Sequence, residues 1–309
     1  MDTPQNPLRG IALKIASVCV FVTMASLIKS SADAIPPGQA VFFRSFFAIP
    51  VILAWLVMQH DLAHGLETKN PMGHLWRGLV GTTAMGLGFA GLGLLPLPEV
   101  TAIGYAAPIL VVIFAAMFLG EDVRLFRLSM VALGLGGVLI VLSPRLMVDP
   151  ETADSAQALG AVLVLMGAVC AALAQVFVRK LVQTERTAAI VFWFSVTASC
   201  LSLLTLPWGW VWPSPWQFVT LVSAGLAGGV GQILLTSSYR HADASLIAPF
   251  EYTSMLLAIG VGYFVFSEVP TRTMLTGAAL IVIAGIAIIW RERQLGIKRG
   301  ARRAGTPQP

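Results

Sequence analysis

The stretch SVCVFVTMASLIK, from Ser17 to Lys29, recurs later in the chain as AVCAALAQVFVRK, from Ala168 to Lys180. Two further pairs of stretches recur in the same order: AVFFRSF (Ala40 to Phe46) with AIVFWFS (Ala189 to Ser195), and FLGED (Phe118 to Asp122) with VFSEV (Val265 to Val269). Ordered recurrence at a spacing of about 150 residues indicates an internal duplication. The fold is therefore expected to consist of two similar halves.

The composition places both halves in a membrane. Of the 309 residues, 57% are hydrophobic and 11% are charged, whereas soluble domains carry roughly 25% charged residues. The cations fall between hydrophobic runs and do not cluster among aromatic residues, so no nucleic-acid partner is expected. The first apolar run is followed by many others and is interpreted as an uncleaved span, although its flanks are similar to those of a signal peptide.

The chain divides into ten apolar segments, each near the length of about 20 residues that a helix needs to cross a bilayer. The predicted spans are 10–30, 37–58, 74–95, 98–119, 124–143, 158–180, 187–207, 216–238, 244–266 and 271–290. The sequence thus predicts an all-α membrane protein with ten transmembrane helices. Its predicted parts are a first five-helix half (1–145), a periplasmic linker (146–157), a second five-helix half (158–292) and a basic cytoplasmic tail (293–309).

The distribution of lysine and arginine predicts the orientation. With the N-terminus inside, fifteen of the 20 lysines and arginines lie at cytoplasmic positions, three lie outside, and Lys14 and Arg44 lie within spans. This bias predicts that both termini are cytoplasmic. Because five spans is an odd number, the second half would enter the membrane upside down, giving the inverted repeat typical of secondary transporters. The alternative is a structural duplication in a membrane interaction protein that does not transport.

Each half also contains a proline followed by an apolar run that ends in glutamate. These runs are AAPILVVIFAAMFLGE (Ala106 to Glu121) and APFEYTSMLLAIGVGYFVFSE (Ala248 to Glu268), and a glycine-containing span follows each. With the two five-span halves, this pattern resembles the EamA family of the drug/metabolite transporter superfamily over nearly the whole chain. The resemblance implies a ten-helix carrier in the bacterial inner membrane with a central cavity.

A narrower resemblance concerns the solute. The stretches VFFRSFFAIP (Val41 to Pro50), APFEYTS (Ala248 to Ser254) and LKIASVCVFVTMASLIK (Leu13 to Lys29) are similar to a bacterial branch that includes riboflavin transporters and S-adenosylmethionine carriers. Riboflavin is the substrate that this resemblance favours. A nucleoside-like metabolite, S-adenosylmethionine or an amino acid stays open as an alternative, as does export instead of import.

Three charged residues lie well inside predicted spans, at least a helical turn from the span ends, where each costs several kcal/mol unless it finds a partner or a cavity. Lys14, near the cytoplasmic end of its span, is expected to extend to the lipid headgroups. Arg44 lies about 10 Å below the outer face. It could be a structural ion-pair partner, a substrate-facing cation or a residue that extends to the surface. Glu251 lies about 12 Å from the cytoplasmic side. It could pair with Arg44, line the cavity as a proton-coupling group, or make a structural hydrogen bond.

Proline and tyrosine occur together in spans 4 and 9, as Tyr105 with Pro108 and Pro249 with Tyr252. A proline within a span frees a carbonyl group and interrupts the helix, which is tolerated only against protein or a watery cavity. These residues are therefore expected to mark the pathway, unless the kinks serve packing alone. Trp193 is a further candidate wall for a planar ligand.

Several chemistries have no sequence signature here. The chain contains neither GxxxxGK[ST] nor HExxH, and its four histidines lack metal-ligand spacing, so no cofactor or metal site is expected. An intramembrane enzyme acting on a lipid or isoprenoid is the alternative from another class. The expected partners are a small-molecule substrate and membrane lipids, and the expected state is a monomer or a homodimer.

Overall fold

The computed structural model describes residues 7–60, 65–119, 125–146, 155–181, 184–241 and 248–304, and over these ranges it contains helices and no strands. The helical segments in chain order are α1 (Pro7–Lys29), α2a (Pro37–Phe46) with α2b (Ala48–Met58), α3 (Pro71–Leu94), α4a (Leu97–Gly104) with α4b (Ala106–Leu119), α5 (Leu125–Leu146), α6 (Ser155–Leu181), α7 (Thr187–Leu203), α8 (Pro215–His241), α9 (Thr253–Phe266), preceded by a 3-10 turn over Ala248–Tyr252, and α10 (Arg272–Ala304). Eight of the ten predicted spans correspond to one α-helix each, and spans 2 and 4 each correspond to two consecutive helices. The predicted all-α fold is confirmed for the described residues.

Prolines set several helix starts. Pro37, Pro71 and Pro215 each stand at the first position of a helix, where the missing N–H costs no hydrogen bond. The side chain of Asn70 caps α3, since its Oδ1 accepts from the Gly73 N–H at 2.9 Å. The local sequence signals and the observed boundaries therefore agree at these points.

The length of four helices and the apolar surface of the chain fit a bilayer. In the described part of the chain, four helical stretches are long and apolar enough to cross a membrane: Leu8–Lys29, Pro37–Met58, Ser155–Val178 and Pro215–Leu235. Five more apolar stretches are shorter: Leu97–Val111, Leu128–Pro144, Ala188–Leu203, Phe250–Phe266 and Arg272–Ile288. Large apolar side chains such as Met117, Leu139 and Phe264 are exposed. Their exposure would cost free energy in water and would not in lipid.

Helix pairing joins the first five helices to the last five. The contacts between the halves include five pairs: α1 with α8, α3 with α6, α5 with α10, α2 with α7 and α4a with α9. If each helix is replaced by its counterpart in the other half, five places earlier or later in the chain, the same five pairs result. One buried cluster, around Ile103, Ile109 and Ile281, lies between α4, α5, α6, α9 and α10. A second, around Ile28, Phe43 and Leu221, lies between α1, α2, α3 and α8.

Connecting segments of the two halves also bond to each other. Glu185, between α6 and α7, accepts from the backbone N–H groups of Lys69 and Asn70, both at 2.7 Å, before α3. Burial of this carboxylate opposes its ionisation. The two amides outweigh that cost, with smaller contributions from His74 and Thr68, and lower the pKa of Glu185 below its ordinary value.

A second connection of this kind involves the turn after α7. The Gln39 side chain donates to the Val211 carbonyl at 2.8 Å and accepts from the Val211 N–H at 3.1 Å. Gly209 lies in the same turn with a φ of 86°, a left-handed conformation that glycine adopts without strain. The α7–α8 connection is thereby fixed to the start of α2a.

Some predicted boundaries differ from the observed ones. Helix α7 ends at Leu203, before the predicted end at 207, because a series of turns follows. Helix α10 continues to Ala304, through much of the predicted tail 293–309. Most of the predicted linker 146–157 falls on 147–154, and Glu121 of the third repeated stretch falls on 120–124; both ranges lie outside the described residues.

Candidate functional site

Lys14 and Glu251 form a direct ion pair between α1 and the 3-10 turn before α9. The Lys14 side chain is 3% exposed, whereas that of Glu251 is 45% exposed. A buried ammonium group is stable only with a counter-charge, and Glu251 supplies it. The expectation that Lys14 extends to the headgroups is therefore wrong. The possible Arg44–Glu251 pair is likewise not among the ion pairs of the described residues.

Tyr105 brings a third helix to this ion pair. Its hydroxyl group lies 3.4 Å from the Glu251 carbonyl oxygen and forms a hydrogen bond with the Ser254 hydroxyl group. The Tyr105 and Tyr252 rings pack edge to face, with centroids 5.1 Å apart. Tyr105, Glu251 and Tyr252, three of the predicted site residues, therefore lie together where α1, α4 and α9 meet.

Two interruptions of the helices place these side chains. Span 4 turns at Tyr105, between α4a and α4b, and Pro108 is the third residue of α4b. A proline there cannot donate to the carbonyl group four residues earlier, at Gly104, where α4a ends. Span 9 enters through the 3-10 turn Ala248–Tyr252, which contains Pro249. Each predicted helix break thus coincides with a change of helical geometry beside Glu251.

Tyr252 also fixes the position of α10. A Cβ atom at Gly285 would lie 1.5 Å from the Tyr252 hydroxyl oxygen and 2.4 Å from Cζ of the same ring. Only glycine leaves room for the ring at this point. The aromatic pair Tyr105–Tyr252 is therefore held between α4 and α10.

A second ion pair joins the same two helices, α1 and α9, at their C-terminal ends. The Lys29 ammonium group lies 3.0 Å from the Glu268 carboxylate, and their side chains are 12% and 15% exposed. Lys29 also donates to the carbonyl groups of Leu92 (3.1 Å) and Leu95 (2.7 Å), and the Leu97 N–H donates to Glu268 at 2.8 Å. These bonds connect the end of α1 to the α3–α4a turn and to the end of α9.

Arg44 lies in a different place, between α2a, α7 and α8. It is 4% exposed, and its guanidinium carbon lies 5.8 Å from the centroid of the Phe194 ring. Arg77, from α3, lies over the same ring with its guanidinium carbon 3.3 Å from the centroid. Part of the Arg77 guanidinium group is buried.

Trp193 is next to Phe194 but points to a loop. Its indole N–H donates to the carbonyl oxygen of Leu66 at 3.0 Å. Its ring packs edge to face on Phe192, with centroids 5.5 Å apart. In the described part of the chain, no contact joins Trp193 to Tyr105, Glu251 or Tyr252.

Two cavities open at the ends of the helices. One, of about 420 Å³, lies between the connections at Lys69 and Glu185. The other, of about 380 Å³, lies beside the α1–α2a turn and is lined by Asp33 and Phe89 among others. Neither of these two cavities is lined by Glu251, whose side chain is 45% exposed outside them.

Sequence reasoning missed Lys14, Lys29, Glu268 and Arg77 as members of charged groups. A signal for Lys14 existed, because the predicted topology has spans 1 and 9 running in the same direction, with Lys14 and Glu251 both in the N-terminal part of their spans. In the same predicted topology Arg44 lies nearer the opposite face of the membrane, which makes it the poorer partner for Glu251. The burial of Arg77 could be found only from the structure. Arg77 lies close to the start of α3 and to the expected membrane boundary, where an arginine side chain can also reach water.

Family models match both halves of the chain. The model described as the EamA-like transporter family matches residues 8–143 and again residues 158–291. A model of solute carrier family 35 matches residues 100–208. One solved crystal structure shares the fold with a TM-score of 0.64 at 21% identity, covering 93% of this chain and 98% of its own.

Three relatives have names that state what they transport. A pseudopaline exporter of Pseudomonas aeruginosa (strain UCBPP-PA14) is 30% identical over 280 residues, 90% of this chain and 95% of that protein. An S-adenosylmethionine uptake transporter of Rickettsia bellii is 26% identical over 298 residues, 93% and 99% of the two chains. A riboflavin transporter of Rhizobium johnstonii is 28% identical over 287 residues, 92% and 89% of the two chains.

These relatives differ in solute and agree in activity, since each is a transporter of a small metabolite. The predictions of a transporter, of a multi-pass membrane protein and of a protein that is not an enzyme are confirmed by them and by the family match. With both halves matched by one family model, the chain belongs to the EamA-like transporter family.

Proposed function

We propose that the chain is a secondary carrier that moves a small organic metabolite across the bacterial inner membrane by alternating access between its two halves. The observation that carries this proposal is the Lys14–Glu251 ion pair, with a buried cation from the first half and a half-exposed carboxylate from the second. A pair of this kind can be opened by neutralising the carboxylate, so it can respond to a proton or to a polar solute.

The halves are proposed to be inverted repeats. Each matches the same family model, and five of the helix pairs between the halves form a set that is unchanged when the halves are exchanged. The excess of lysine and arginine on one side supports cytoplasmic termini. In this orientation Lys29 and Glu268 lie at the periplasmic face, and their ion pair would close the pathway there.

The proposed pathway runs along α1, α4 and α9. Glu251 is the central polar group, Tyr105 and Tyr252 are its aromatic walls, and the breaks near Pro108 and Pro249 let these segments bend. Discontinuous helices near a binding site are typical of secondary transporters. Arg44 and Trp193 are proposed to bind or gate the substrate from α2 and α7, in a second group around Phe194.

Riboflavin is the first solute to test, because a riboflavin transporter is among the relatives. The chain would be expressed in a riboflavin auxotroph at limiting riboflavin, with the Glu251→Gln variant as the comparison. Rescue by the wild type alone supports riboflavin import. Failure to rescue despite normal expression rejects riboflavin import, and uptake and efflux of S-adenosylmethionine would then be measured in proteoliposomes.

A further inference from the structure

Two arginines that lie against the Phe194 ring have buried N–H groups without protein acceptors. These are Nε of Arg44 and both Nε and Nη1 of Arg77, none of which has a hydrogen-bond partner among the described residues. The ion pairs found in this part of the chain use lysine and histidine with glutamate, and none includes either arginine. Two guanidinium groups, one buried and one half-buried, thus meet with no carboxylate of the described residues to neutralise them.

One aromatic ring cannot satisfy both charges. Cation–π contacts with Phe194 stabilise the guanidinium groups, more strongly for Arg77 at 3.3 Å than for Arg44 at 5.8 Å from the ring centroid. The ring face accepts no hydrogen bonds from N–H groups that lie in the guanidinium plane. The contacts also leave two positive charges close together. Burying donors and cations in this way is costly unless a further group accepts their hydrogen bonds. The arrangement therefore favours binding of an anion that can accept these hydrogen bonds.

The surrounding backbone leaves room for these arginines. A Cβ atom on Gly228 of α8 would lie 3.2 Å from Arg44 Nε, and one on Gly81 of α3 would lie 3.0 Å from Arg77 Nη1. Each guanidinium group therefore lies against a glycine, on α8 of the second half for Arg44 and on α3 of the first half for Arg77. The group is thus formed by α2a and α3 from the first half and by α7 and α8 from the second.

We propose that Arg44 and Arg77 bind an oxyanion, specifically a carboxylate group of the transported solute, between the two halves. Planar guanidinium groups match a carboxylate through paired N–H donors, and the bond is stronger where water is excluded. The proposal rests on the carrier function above for the identity of the ligand and narrows it to anionic or zwitterionic solutes. S-Adenosylmethionine carries a carboxylate and fits this class, whereas riboflavin carries none.

The test uses acetate and its neutral isostere acetamide as probes. Thermal unfolding of the purified full chain would be followed in nanodiscs at constant ionic strength, up to about 100 mM of each probe. Acetate is expected to raise Tm of the wild type by about 2–4 °C and acetamide to leave it unchanged. Arg44→Gln and Arg77→Gln are expected to lose the acetate effect, while Arg272→Gln, an exposed arginine at the start of α10, keeps it.

Equal shifts with acetate and acetamide, no shift with either probe, or a full acetate shift in both arginine variants would overturn the proposal. A Tm that rises with the phosphatidylglycerol content of the nanodisc and does not change with acetate would also overturn the proposal, since the anion would then be a lipid headgroup. If Arg44→Gln does not fold, Arg77→Gln carries the test, because Arg77 is less buried. An acetate effect in a chain that transports no solute would reject the carrier function and leave the anion site standing.

Discussion

Lys29 and Glu268 form an ion pair 3.0 Å long at the C-terminal ends of α1 and α9, and Lys14 and Glu251 pair where the same two segments meet again. Along a straight α1 the two lysines are about 22 Å apart, which is most of the thickness of a bilayer core. Helix α1 belongs to the first half and α9 to the second. Ion pairs at two depths thus join the two halves. Among these four side chains, only that of Glu251 is substantially exposed.

Glu251→Gln is expected to lower solute transport at least tenfold while expression stays near the wild-type level. The substitution leaves the buried Lys14 ammonium group without its counter-charge. The free energy of unfolding should fall by about 1–2 kcal/mol, less than for a fully buried pair because Glu251 is half exposed. Uptake into proteoliposomes and thermal unfolding measure the two effects. The control is Glu67→Gln, an exposed glutamate in a loop, and equal transport by both variants would remove Glu251 from the mechanism.

Exchanging the two charges tests whether Lys14 and Glu251 act as a pair. Lys14→Glu alone and Glu251→Lys alone each place like charges together, so both should be poorly stable and inactive. The double variant restores opposite charges at the same contact and should regain several degrees of Tm over either single variant. If the double variant is no more stable than the less stable single variant, the two side chains contribute independently.

The stability of the chain should depend on the ionisation of Glu185. Its pKa in the folded chain lies below the ordinary value of 4.5, so the carboxylate stabilises the fold fully above that pH. As the pH falls below 4.5 and through the lower folded-state pKa, this contribution is lost. The wild type should therefore lose more Tm between pH 6 and pH 4 than Glu185→Gln does. Parallel pH profiles for the two proteins would contradict the assignment.

Gly285→Ala should destabilise the chain by about 1–3 kcal/mol, the usual cost of overpacking, because the new methyl group would overlap the Tyr252 hydroxyl group. Gly136→Ala, on α5, is the matched control, since no atom lies within 4 Å of its added Cβ. That control should be neutral or slightly stabilising, as alanine favours a helix over glycine. Thermal unfolding compares the two, and equal effects would show that Tyr252 moves aside freely.

The fold could be predicted because its signals are local. Apolar runs, prolines at helix starts and a duplicated order of motifs specify ten segments, and the prolines near Tyr105 and Tyr252 indicate where two of them break. The residues that meet across helices were harder to identify. Lys14 and Arg77 lie close to membrane boundaries in sequence, where a charge can reach water. Their burial depends on α8, α9 and α7 packing over them, which no single span reveals.

The most direct measurement is transport by a chain cross-linked between positions 29 and 268. A Lys29→Cys/Glu268→Cys variant, with Cys19, Cys170 and Cys200 replaced by serine, would be treated in proteoliposomes with a short reducible bifunctional thiol reagent. Alternating access between the halves requires α1 and α9 to separate at this end, so the cross-link should abolish solute counterflow and a reductant should restore it. Counterflow at the uncross-linked rate through fully cross-linked protein would contradict alternating access at this contact.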